Sequence, residues 1–277
     1  FGETLAWLAD TQLLACNLGE ALKARQESTG IAADLLQQDP SNANKRSRYA
    51  YALRGLGAMQ ARVGMIDQAI ENYEASNTQL GQLAVTDPTN LIYRYDYLQN
   101  DAEIARLLAN SGQLAQALPV LASVRQPMLD LLEEESWENI FRHIYFVHYL
   151  LEWSEVLWVG ENAEQAAARL AEARGHLVQL TEAGSDHEAF SGSIRQARFL
   201  QWQQQGSDLM QSAPFNSLEL ADEESVLSCR AQADGVRQAI LSGDLDKAAV
   251  LSANLLARGF YEPAFIRVCR QYGVCQQ

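Results

Sequence analysis

The stretch Tyr49-Ala50-Tyr51-Ala52-Leu53-Arg54-Gly55-Leu56-Gly57, followed by Gly64, Ile66, Ala69 and Ile70 and closed by Asp87-Pro88-Thr89-Asn90, decides the fold, because the chain repeats it. Phe1, Tyr49, Tyr97 and Tyr145 stand 48 residues apart. Arg46, Arg94 and Arg142 keep the same step, as do Gly64, Gly112 and Gly160, and Ala21, Ala69 and Ala117. Leu18, Ile66 and Leu114 form another column, and Leu22, Ile70 and Leu118 one more. Asp39-Pro40-Ser41-Asn42 foreshadows Asp87-Pro88-Thr89-Asn90. Self-similarity at a fixed period of this size marks a solenoid, in which each unit covers its neighbour's apolar face.

Each period reads as two helices. Ala50, Leu53, Leu56, Gly57 and Ala61 recur at three and four spacing, and Gly64 ends that run. Ile66, Ala69, Ile70, Tyr73, Leu80 and Leu83 resume the pattern as far as Asp87-Pro88. Proline disfavours helical backbone in the residue before it, and Asn42 or Asn90 can cap the helix that follows. Residues 1–184 divide into four such units, the first truncated, with a one-residue slip that puts Ala166 in the alanine column. Phe1 falls where the other units already have helical residues before it, so the chain reads as beginning inside a helix. Residues 185–206 read as a degenerate fifth unit, 207–221 as a loop and 222–277 as a C-terminal helical cap.

The chain has 277 residues, of which 48% are hydrophobic and 20% charged, the balance of a folded protein. A net charge of −14 argues against a nucleic-acid partner, which needs clustered Lys and Arg, and disfavours an anionic membrane surface. No apolar run reaches the length of a transmembrane helix, so direct insertion of this chain in a membrane is not expected. Cys16 takes the position that glycine holds in the other units and reads as a small packed residue; Cys229 reads as a buried thiol. Cys269 and Cys275 flank Gly273; a bridge would pin the final turn in an oxidising compartment, and two free thiols would leave it loose.

The pattern of an aromatic and leucine helix, Leu56-Gly57, the turn at Gly64, Ala69, and a closing Asp87-Pro88-Thr89-Asn90 resembles tetratricopeptide repeats in a lengthened form. The lengthened form is similar to the repeats in the C-terminal regions of bacterial serine/threonine kinases and related signalling proteins. The closing stretch from Leu255 to Pro263 resembles the ends of such proteins. The resemblance implies an all-α, right-handed α-solenoid of tetratricopeptide-like helix hairpins with a C-terminal helical cap. It further implies the sensing or scaffolding arm of a larger bacterial protein, on the periplasmic side of a membrane-anchored parent in preference to the cytoplasm.

No catalytic motif accompanies this architecture. Gly55-Leu56-Gly57 lacks the third glycine and the preceding strand of a dinucleotide loop. His148 and Glu152 are four apart but have no third metal ligand nearby, and no cofactor is called for. His143, His176 and His187 read as surface or internally satisfied side chains, and Glu133-Glu134-Glu135 as a solvated turn. The pairs Arg46 with Tyr49, Arg94 with Tyr97 and Arg142 with Tyr145 each lie three apart on one helical face. As repeat columns they stack neighbouring units. As a ladder of cations and rings, extended by Trp153, they would clamp an acidic or extended peptide in a concave groove. Non-catalytic recognition of a protein or peptide is thus the expected function. Its rivals are a small-molecule sensor built on the aromatics from Trp137 to Trp158, and a homo-oligomerisation module using the exposed ends of the array.

Overall fold

The computed structural model describes residues 2–134, 140–160, 162–182, 229–275, and Ser193, Ile194, Gln196, Ala197, Phe199, Leu200, Gln201, Gln203 and Gln204 between them. Phe1, Trp137, His187 and the loop expected at 207–221 lie outside them. Four helix pairs follow one another: α1 (Gly2–Leu14) with α2 (Leu18–Gln38), α3 (Ala43–Arg62) with α4 (Ile66–Thr86), α5 (Leu91–Asn110) with α6 (Leu114–Glu134), and α7 (Ile140–Val159) with α8 (Ala163–Glu182). The C-terminal part contributes α9 (Cys229–Leu241), α10 (Leu245–Ala257) and α11 (Pro263–Gln271). No residue among those described is in a strand, and none of the described helices is long and apolar enough to cross a membrane.

Consecutive helices pack on each other along the row, as an all-α solenoid-like fold requires. Ala21, Ala69, Ala117 and Ala166 are all completely buried, because the partner helix crosses there. At the second pair a Cβ added to Gly57 would come within 3.0 Å of the Ala69 carbonyl oxygen, so only small side chains let the two backbones meet. Asn42 caps α3 through Lys45 N at 3.1 Å, and Asn90 caps α5 through Ile92 N at 3.1 Å. The glycine column has two causes. Gly64 and Gly112 take positive φ (79° and 89°), whereas Gly160 keeps negative φ and is small because a Cβ would stand 2.7 Å from Leu114 Cδ2.

Cys16 corrects the thiol reading. It adopts φ 57° in the glycine position, and its sulfur is bonded to Cys229 across a sequence separation of 213 with Cα atoms 5.1 Å apart. Cys269 and Cys275 are bonded as well, closing a short loop over Gly273.

These bonds belong to a larger departure from a simple row. The C-terminal helices fold back across the array. Cys16, Leu18, Ala21 and Met59 share one apolar core with Phe199, Val236, Phe260, Phe265 and Val268. Tyr261 N donates to Arg62 O at 2.8 Å, and α11 lies against α5. A second core runs through α5–α8 and takes in Ile194, Ala197 and Leu200. The first pair, the middle of the array and the last helices are therefore tied together.

Candidate functional site

The three rungs of the Arg/Tyr ladder fall into three different surroundings. Arg46 bonds Gln79 Oε1 at 2.7 Å and Pro40 O at 2.6 Å, joining α4 to the preceding Asp-Pro turn; Tyr49 is half-buried. Arg94 and Tyr97 are exposed. Arg142 is buried with its guanidinium carbon 5.0 Å from the centre of the Tyr95 ring, and the Tyr95 hydroxyl donates to Arg142 O at 2.8 Å. Tyr145 donates to Glu103 Oε1 at 3.0 Å. Trp153 is buried, with the Arg169 guanidinium carbon 5.0 Å from its ring centre. Around Arg142 and Tyr145, α7 packs on both α5 and α6. Phe146, Tyr149 and Trp153 pack on one another with ring centres 5.7 and 5.8 Å apart, as part of the core.

Ion pairs link α3 to α5, and others link α5 and α7 to the C-terminal segment. Tyr51 and Arg54 both bond Asp96, at 2.8 and 2.9 Å, and Arg54 also reaches Gln99. Arg106 grips Glu103 Oε2 through Nε and Nη2 at 3.0 and 2.8 Å, and lies 3.4 Å from Glu262 before α11. Arg267 of α11 pairs with Glu155 of α7 at 2.6 Å and also bonds Asn110 of α5. Burial alone would raise the Glu103 carboxyl, but Arg106, His148 and the Tyr145 hydroxyl outweigh it and hold the group at about 2. Burial likewise opposes, and Arg267 and Arg237 overcome, the charge on Glu155, whose pKa is lowered. His148 stands 3.8 Å from Glu152, yet among the described residues no three His, Cys, Asp or Glu side chains converge to hold a metal. The C-terminal segment meets α5 and α7 at Arg106, Asn110 and Glu155.

An open cleft exists elsewhere. It measures about 830 Å³ and lies between α4 and α6, floored by α5. Glu74, Asn77, Thr78, Gly81, Gln82 and Val85 form one wall, Val120 and Ser123 the other, and Tyr97, Asp101 and Ile104 the floor. Val85 is 84% exposed and Tyr97 39%. Tyr97 and Asp101 stand four apart on one face of α5, directed between the second helices of two adjacent pairs.

A chain of buried amides presets the carboxylate at the bottom. Ser76 Oγ donates to Ala50 O at 2.8 Å, and Asn100 Nδ2 donates to Ser76 Oγ at 3.0 Å and to Asn77 Oδ1 at 2.9 Å. Asn77 Nδ2 in turn donates to Asp101 Oδ1 at 2.7 Å. Burial pushes the Asp101 carboxyl up to about 6, only partly offset by the Asn77 bond. The repeat columns singled out Tyr97 but not Asp101, Asn77 or Gly81. The usable signal was the Tyr97–Asp101 spacing on a face that the first helix of a pair shows to two second helices. Compared with protein-family models, with curated proteins and with solved structures, the chain finds no match in any of the three.

Proposed function

We propose that this chain is a non-catalytic recognition module of tetratricopeptide-like units that binds an extended protein segment in the cleft between α4 and α6. The observation that carries this reading is the open cleft itself, in which exposed Tyr97 and Val85 flank a preset carboxylate. Recognition sites characteristically combine an apolar or aromatic surface with a few fixed polar groups.

Gly81 supplies the test. A Cβ at Gly81 meets nothing within 4 Å, so a large side chain fits the fold while filling the cleft. Random peptides displayed and enriched on the wild-type protein are expected to bind Gly81→Trp at least tenfold more weakly. They should bind Gly175→Trp, an exposed α8 position equally free of neighbours, without change. Equal binding to both variants would remove the cleft from consideration.

The larger setting is the regulatory arm of a bacterial serine/threonine kinase-like protein, on the periplasmic side of the membrane. The residue pattern from Tyr49 to Asn90 supports the first part, and two intrachain disulfides support an oxidising compartment. Intact mass of the native gene product, with an assay for ATP-dependent phosphorylation, checks it. A mass near 30.7 kDa without activity would refute the kinase-arm setting.

A further inference from the structure

Resting on that reading of the cleft, we infer that the group it recognises is an arginine side chain of the partner, paired with Asp101 and laid against Tyr97. Three observations converge on a cation. The charged residues lining the cleft are Glu74 from α4 and Asp101 from α5, while α6 contributes only Val120 and Ser123. Among the described residues Asn77 is the single donor to Asp101, and it engages Oδ1. The buried Ala50–Ser76–Asn100–Asn77 relay fixes that carboxylate before any ligand arrives, so orienting it adds little at the moment of binding. A guanidinium suits the setting better than an ammonium ion. Its planar fork matches a carboxylate, and its weakly hydrated face lies readily on an aromatic ring such as Tyr97. Ile104, Val120 and Val85 give the aliphatic stem apolar surface to cover. A net charge of −14 draws cationic segments toward the protein at long range.

Asp101 also bears the mark of a functional group held at the expense of stability. Its carboxyl titrates at about 6 in the folded chain against an ordinary 3.8. The folded state therefore binds more protons than the unfolded one between those values, and stability rises as pH falls through that window. Glu74 and Tyr97 are the other titratable groups facing the cleft.

The test uses N-acetyl-arginine amide and its neutral isostere N-acetyl-citrulline amide, titrated into the isotopically labelled whole chain at pH 7.5 and followed by NMR. Saturable shifts at Gly81, Tyr97 and Asp101 are expected with the arginine compound, with citrulline at least tenfold weaker. Asp101→Asn should abolish the shifts while raising the thermal midpoint at pH 7.5, a gain that shows the variant is folded. Equal response to citrulline would overturn the cationic reading and leave the cleft as a docking surface. No response to either compound would overturn the arginine assignment. The Gly81→Trp comparison with displayed peptides then decides separately whether the cleft binds any partner.

Discussion

Loss of the Cys16–Cys229 bond is expected to lower stability by about 5 kcal/mol, the figure the chain-entropy account assigns to a loop of this length. The bond joins residues 213 apart and holds the turn of the first pair against α9. For a domain whose net stability is roughly 5–15 kcal/mol, that change removes a third of the total or more. The position of Cys16 allows the cross-link to be separated from the backbone. Because φ there is 57°, glycine relieves strain that alanine or cysteine must bear, a difference of about 1 kcal/mol. In urea unfolding, Cys16→Gly/Cys229→Ala should therefore be less destabilised than Cys16→Ala/Cys229→Ala by that amount, and both should fall well below the oxidised wild type. Hydrogen exchange at Tyr261 N–H, which donates to Arg62 O, reports whether the C-terminal helices stay down. Unchanged unfolding midpoints and unchanged Tyr261 protection would show that packing alone closes the fold.

Arg106→Met should lower stability by about 3–5 kcal/mol, since it strands buried carboxylates without their counter-ion. The Arg106 side chain is 10% exposed and bonds Glu103, which is 18% exposed, and Glu262. The pH dependence gives this loss a sign. The Glu103 carboxyl sits at about 2 when folded against an ordinary 4.5, so its contribution is fully present above pH ~5 and is lost as pH falls through 2. The shift corresponds to roughly 3 kcal/mol. In the variant, burial without Arg106 pushes Glu103 the other way, so acidification from pH 7 to 5 should stabilise it. Denaturant melts of both proteins across this range check the crossing; parallel curves would rule out Arg106 as the group that holds Glu103 ionised. Replacing both partners by leucine should recover much of the loss, because apolar substitution of a whole buried pair is often nearly neutral.

These two interactions mark where reading the sequence stops. The columns Ala21, Ala69 and Ala117 were legible because a helix crossing needs a small residue in every unit, and that need recurs with the period. The asparagine caps were legible for the same reason. Tyr49, Tyr97 and Tyr145 share a column but not an environment: Tyr97 floors an open cleft while Tyr145 is tied to Glu103. A periodic pattern records what each unit needs from its neighbour and carries no trace of what a distant segment does to one unit alone.

The chain's order of amino acids determined by itself the helix pairs, the turns at Gly64 and Gly112, the Asp-Pro-x-Asn caps and the stacking of one pair on the next. All of these rest on contacts within one repeat or between adjacent ones, whose short range writes itself into local spacing. Tertiary structure alone decided that Cys16 finds Cys229, that Arg106 meets Glu262, and that a cleft stays open between α4 and α6. Those outcomes depend on the small rotation from each pair to the next, summed along the whole array, and on the C-terminal helices returning across it. No single stretch of sequence encodes that sum.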